Sequence, residues 1–315
     1  MTKLIFTTIL VFVFMTPACS AQKSALVNNS AGKKPENTPA QQTGELERQI
    51  EQIASQAKGR VGVRAEILET GEAVSLKSGE RFPMQSVYKL PIGMAVLKQV
   101  DEGKIKLDQP VKVGKSDFAL TGQYSPIRDK NPNGVTLTVE ELLESAVSES
   151  DGTASDVLLK LAGVDAVKQY LDGLGIKSIV VLNSEKEIGK DWETQYRNWA
   201  SPEGAVALLR ALQEKRAGLS EPSQALVLKY LIETPRGTKR LKGLLPADAV
   251  VAHKTGTSGA RNGVFAATND IGIITLPDGR HLAIAVFVSD STMDEKTREG
   301  VIAKIARAVW DKWSK

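Results

Sequence analysis

The 315 residues are 42% hydrophobic and 25% charged, a globular composition long enough to bury a sizeable core, which excludes disorder for most of the chain. The net charge of +4, from 41 basic against 37 acidic residues, is too mild and too scattered to argue for nucleic acid, and no aromatic-interleaved basic run adds to it. A single cysteine, Cys19, excludes an intrachain disulfide, so stability must come from packing.

The chain opens with Lys3, an apolar run from Leu4 to Met15 and the small-residue stretch Ala18-Cys19-Ser20-Ala21. This predicts a signal peptide over residues 1–21, because the run is too short to cross a membrane, and hence export to the periplasm. Two fates of Cys19 stay open: cleavage near Ala21 discards it, whereas lipidation at Cys19 would anchor the protein, although Thr16-Pro17-Ala18 matches the usual lipoprotein signal poorly. Residues 22–43, rich in Asn, Pro, Gln, Ser and Lys, read as a flexible polar tether.

From Glu45, the residues Leu46, Ile50, Ile53 and Ala57 keep one face of a helix that stops at Gly59. Strands are predicted over 61–68 and 73–76, joined by the turn Thr70-Gly71-Glu72. Five helices follow, over 138–147, 153–161, 166–174, 203–212 and 223–232, each with helical periodicity and a polar or Gly/Pro boundary. Three strands come next, over 250–257, 263–276 and 281–289, with Pro277-Asp278-Gly279 as a turn, and a last helix from about Met293 carries Val301, Ile305 and Val309 on one face. The expected fold class is therefore α/β. An antiparallel five-stranded sheet, built from both chain ends (about 44–85 and 246–315) and flanked by helices, joins an inserted helical lobe (about 86–245). The cleft between them is the default place for a site.

Ser-x-x-Lys occurs at Ser20/Lys23, Ser30/Lys33, Ser55/Lys58 and Ser86/Lys89. Only Ser86 opens a long apolar helix directly after an extended segment. At a first helical turn its backbone N–H can meet an oxyanion, the helix dipole favours the negative charge, and Lys89 lies one turn on along the same face. Burial would disfavour the charged lysine, so a neutral amine could take the serine proton. A lone match of this kind is ordinarily an N-cap serine and a surface lysine. Two further triplets bear on it: Ser150-Asp151-Gly152 after the 138–147 helix, and Lys254-Thr255-Gly256 on a strand, with a glycine for close approach.

In this order, Ser86-x-x-Lys89, Ser150-Asp151-Gly152 and Lys254-Thr255-Gly256 resemble the active-site serine penicillin-recognising enzymes, and within them the class A β-lactamases. The resemblance runs from about Glu45 to the C-terminus. It implies that Ser86 opens the β-lactam ring, with Lys89 as general base, Ser150 relaying a proton to the departing nitrogen, and Lys254 tuning that relay and attracting the drug's carboxylate. Backbone N–H groups of Ser86 and Thr257 would form the oxyanion hole. Thr255 and Gly256 would dock the substrate, and Tyr124, in Gln-Tyr-Ser-Pro, would wall the entrance. The segment 182–188 occupies the place of the omega loop, where Glu185 is the expected deacylation base and Glu187 the alternative.

This chain departs from the family pattern at named places. Gly152 stands where the family usually has an asparagine that holds the substrate's side chain, and Gly189 replaces the water-positioning asparagine. The loop before Trp199 is long, resembling the extended-spectrum branch with an enlarged omega loop, which implies a wide pocket and bulky cephalosporins as substrates. Arg240 is the expected partner of the substrate carboxylate, with Arg261 the alternative.

No cofactor or metal is expected, since His253 and His281 lie far apart, and neither sits in a nucleophile–base pattern. The expected partners are small-molecule β-lactams, and nothing demands more than a monomer. Competing readings are a penicillin-binding peptidase and a β-lactam sensor that stays acylated.

Overall fold

The computed structural model describes residues 10–13 and 39–314. Cys19, the rest of the expected signal peptide and most of the expected tether lie outside them.

A strand with an unbroken apolar run needs cover on both faces, and residues 282–288 find it at the centre of a sheet. Strands β1 (Arg60–Ile67), β2 (Ala73–Leu76), β3 (Val251–Thr257), β4 (Thr268–Thr275) and β5 (His281–Ser289) pair antiparallel in the order β2–β1–β5–β4–β3. The first hairpin of the domain thus lies beside its last strand. Among the described residues there are eight longer helices, some against the sheet and the rest packed on one another: α1 (Pro39–Ser55), α2 (Lys89–Asp101), α3 (Val139–Val147), α4 (Gly152–Ala162), α5 (Val164–Gly173), α6 (Pro202–Gln213), α7 (Glu221–Ile232) and α8 (Glu295–Trp313).

Alternation along β5 sorts its side chains between two cores. Leu282, Ile284, Val286 and Val288 pack with Val61, Val63 and the apolar faces of α1 and α8. Ala283, Ala285 and Phe287 join the core of the helical part, with Leu90, Leu143, Leu158 and Leu208. Five of these helices begin at side-chain caps. Thr138 and Glu141 form a capping box for α3, Asp151 caps α4, Ser201 and Ser220 cap α6 and α7 just ahead of prolines, and Asp294 caps α8.

Two expectations are corrected. The tether expected to reach residue 43 gives way to α1 at Pro39, because a proline at the first helical position followed by Ala and Gln favours a helix over coil. The single strand expected over 263–276 is two pieces: Val264–Phe265 folds back on Ala260–Arg261, and β4 begins only at Thr268. Asn262 and Gly263, at φ +54° and +75°, make the tight turn that forces this ribbon.

The sheet edge brings the motifs together. Ser86 lies in the 3₁₀ turn Gln85–Tyr88 that leads into α2, and β3 presses against this turn through Gly256, where a Cβ would lie 2.2 Å from the Met84 carbonyl oxygen. Asn269, opposite Gly256 in the register, donates to the carbonyls of Pro83 and Met84 at 2.8 and 3.1 Å. Among the described residues no helix is long and apolar enough to cross a membrane.

Candidate active site

A cleft of about 780 Å³ opens over the Ser86 turn, lined among others by Lys89, Tyr124, Ser150, Glu185, Thr255 and Thr257. That is the size of a pocket for a drug-like molecule.

Ser150 sits between two buried lysines. Lys89, 1% exposed, donates from Nζ to the Ser150 carbonyl at 2.7 Å, and Lys254, also 1% exposed, donates to the Ser150 Oγ at 2.9 Å. The backbone of Ser150 is left-handed, at φ +66°, a conformation that a non-glycine residue holds only where its surroundings impose it. It is what offers the carbonyl to one lysine and the hydroxyl to the other. Burial first, and then the charge of Lys89, hold the Lys254 ammonium well below the usual lysine range, so this amine gives up a proton readily. Gln85, just before Ser86, is left-handed as well, at φ +47°. Its Nε2 donates to Gln195 Oε1 at 2.6 Å, and Gln195 in turn donates to the Trp192 carbonyl at 2.8 Å, which fastens the long loop to the turn bearing Ser86.

Glu185 opens the short helix Glu185–Ile188. Of its two glutamates, only Glu185 reaches the cleft. Glu187 is engaged in a capping box: its Oε2 accepts the Ser184 N–H at 2.8 Å while Ser184 Oγ accepts the Glu187 N–H at 3.2 Å. The first of these bonds holds its carboxyl below the usual range. Glu185 Oε2 lies 3.3 Å from Lys89 Nζ and accepts the Tyr88 hydroxyl at 2.7 Å. Asp156 of α4 accepts the N–H groups of Glu185 and Lys186 at 2.5 and 2.9 Å. Burial outweighs these two bonds and pushes its carboxyl up to about 6. Gln123 donates from Nε2 to the Glu185 carbonyl and accepts the Leu120 N–H at 2.8 Å.

Three expected substrate contacts take different places. Gly152 does not line the cleft; it is buried, donates its N–H to the Tyr124 carbonyl at 3.0 Å, and lies under the Glu185 side chain. Arg240, 4% exposed, borders the cleft, with four of its five N–H donors engaged by the protein. They reach Glu299 at 3.1 Å, the carbonyls of Gly256 and Asn269 at 3.1 and 2.9 Å, and Thr257 Oγ1 at 2.7 Å. It therefore holds Thr257 at the edge of the cleft. Arg261 lies outside the lining, paired with Glu193 at 2.6 Å and set over the Trp192 ring. Tyr124 stands at the mouth, 46% exposed, with the Arg236 guanidinium 3.8 Å from its ring centre.

Sequence reasoning did not select Tyr88, Gln123, Asp156, Gln195 or Arg236. Tyr88 carried a signal, since it stands inside the Ser-x-x-Lys motif. The others come from separate segments, and only folding places them here.

Among the described residues no histidine lines this cleft; lysines and a carboxylate are the groups placed to move protons around the serine. That division of labour defines a class A serine β-lactamase. The chain belongs to the β-lactamase enzyme family, whose sequence profile matches residues 45–313. It is 44% identical over 267 residues to the extended-spectrum β-lactamase PER-1 of Pseudomonas aeruginosa, covering 84% of this chain and 86% of that one. To β-lactamase VEB-1 of the same organism it is 40% identical over 272 residues, covering 86% and 91%. Among solved structures, a β-lactamase from Chitinophaga pinensis superposes with a TM-score of 0.82 at 46% identity, over 85% of this chain and 99% of that one. The extended-spectrum β-lactamase TLA-3 gives 0.83 at 42% identity, over 87% and 100%.

Proposed function

We propose that the protein hydrolyses the β-lactam ring of penicillins and cephalosporins through an acyl-enzyme on Ser86. Ser86 Oγ attacks the ring carbonyl while Lys89, 3.3 Å from the Glu185 carboxylate that can accept its proton, serves as base. The oxyanion is met by the backbone N–H groups of Ser86 and Thr257. As the C–N bond breaks, the nitrogen takes a proton from Ser150, which is replenished by Lys254 at 2.9 Å. Thr255 and Thr257, beside Lys254, receive the drug's carboxylate. Once Glu185 has given its proton up to solvent and Lys254 has regained one from solvent, the Glu185 carboxylate deprotonates a water that attacks the acyl carbon, and Ser86 leaves, taking up that proton.

The observation that carries this reading is the convergence of proton-handling groups at the Ser86 turn: Glu185 lies 3.3 Å from Lys89, Lys89 is held by the Ser150 carbonyl at 2.7 Å, and Lys254 meets the Ser150 hydroxyl at 2.9 Å. The test is time-resolved mass spectrometry of the protein and its Glu185→Gln variant with a penicillin and an oxyimino-cephalosporin. The parent should turn both over while the variant accumulates an adduct on Ser86. A parent that itself stays acylated for hours would overturn the hydrolytic half of the proposal. The reading places the enzyme in the periplasm as a monomer, with processing at residues 1–21; the intact mass of the membrane and soluble fractions reads the fate of Cys19.

A further inference from the structure

We infer that the Tyr88 hydroxyl is the positioning group for the deacylation carboxylate, pinning Glu185 Oε2 so that Oε1 is left to take the proton of the attacking water. The inference rests on the reading of Glu185 as the base.

The two glycines at 152 and 189 remove both side-chain amides that the family pattern would place near this carboxylate. What remains close to it is a phenol. Tyr88 is fully buried, on the same turn as Ser86 and one residue before Lys89, so any shift of the serine carries this hydroxyl with it. Its O–H meets Glu185 Oε2 at 2.7 Å, and Lys89 Nζ approaches the same oxygen at 3.3 Å. Both donors thus fall on one oxygen of the carboxylate, which fixes the rotation of the group. Gly152 makes the approach possible: a Cβ there would lie 2.8 Å from Glu185 Cγ. Burial and the charges of Glu185 and Asp156 push the phenol far up, so it remains a donor at every pH at which the enzyme works. The charged groups facing the carboxylate are Lys89 and Lys254 from α2 and β3, and Asp156 from α4.

The experiment compares the parent, Tyr88→Phe and Glu185→Gln by steady-state and burst kinetics with a penicillin, from pH 5 to 9. Phenylalanine fills the same space, so an unchanged kcat/KM reports an intact fold and unimpaired acylation. In Tyr88→Phe, kcat should fall about tenfold or more, the scale of one hydrogen bond to a charged group. KM should fall in step and acyl-enzyme should accumulate, a split between kcat and kcat/KM that a merely structural loss would not produce. A Tyr88→Phe enzyme with the parent's kcat, beside a trapped Glu185→Gln enzyme, overturns this inference and leaves the role of Glu185 standing. Parental turnover by Glu185→Gln overturns both.

Discussion

A Cβ on Gly152 would meet Glu185 Cγ at 2.8 Å, the Tyr124 carbonyl oxygen at 3.1 Å and Ala119 Cβ at 3.3 Å, and one on Gly189 would meet the Gln123 amide nitrogen at 2.6 Å. Both sites that depart from the family pattern are therefore already filled by neighbours. Restoring the family's asparagine should harm this enzyme. Gly152→Asn must displace Glu185, whose far end is held by Tyr88 and Lys89, at a packing cost of about 1–3 kcal/mol. The expected outcome is a lower melting temperature and a kcat reduced about tenfold or more. Gly189→Asn should push Gln123 off the Glu185 carbonyl with a smaller loss of the same kind. Gly79, where a Cβ meets nothing within 4 Å, supplies the control: Gly79→Ala should stay within about 0.5 kcal/mol of the parent. A Gly152→Asn enzyme with parental kcat would show that the carboxylate has room to spare.

The helix Glu185–Ile188 has four residues, too few to hold itself together in water. Its order comes from outside: the Ser184–Glu187 capping box, the Asp156 carboxylate on its first two N–H groups, and Gln123 on its first carbonyl. Glutamine serves at the third position of a capping box as glutamate does. Glu187→Gln should therefore keep kcat within about twofold of the parent, whereas Glu185→Gln should not, and steady-state assays separate the two. Asp156 behaves differently with pH. Its folded carboxyl is pushed up to about 6 from 3.8, so the fold binds this proton more tightly than the unfolded chain does. The stabilisation this provides is complete below about pH 3.8 and is lost as pH rises through about 6. Asp156→Asn removes that dependence. The stability of the variant relative to the parent should therefore rise by about 2–3 kcal/mol between pH 4 and 7, read as the difference in unfolding free energy across that range. At the same time kcat should fall, since the two N–H groups meet different oxygens of Asp156, and an asparagine would turn an NH2 donor toward one of them. A difference that stays flat with pH would refute the buried-acid account.

At the scale of the whole molecule, the sheet was legible because runs such as 282–288 are apolar at every position, and the turn Pro277-Asp278-Gly279 separates two of them. The break after Phe265 was not, because Ala266 and Ala267 continue the apolar run and are both buried; only the Asn262-Gly263 turn hints at it. Ser86, Lys89, Ser150 and Lys254 could be named from short motifs in chain order, and Glu185, with Glu187 as alternative, only from the place of its loop in the family those motifs resemble. Their supports could not, since Asp156 and Gln123 reach Glu185 across 29 and 62 residues and no local pattern encodes such a meeting. Arg240 shows the same limit most clearly: the sequence suggests a ligand contact, and the fold makes it a tie between β3, β4 and α8 through Gly256, Asn269 and Glu299. Removing one partner of a buried ion pair costs about 3–5 kcal/mol, because the other charge is left without compensation. Arg240→Ala should accordingly lower the melting temperature by roughly 10 °C, at about 2–4 °C per kcal/mol for a domain of this size. It should also raise KM, because Thr257 loses the donor at 2.7 Å that holds its hydroxyl at the cleft. Arg240→Lys keeps the charge without the planar fork, and should recover part of the stability and little of the KM. Thermal unfolding and steady-state kinetics on the same preparations test both effects, and an Arg240→Ala enzyme that melts within 2 °C of the parent would show that the sheet and α8 hold together without this tie.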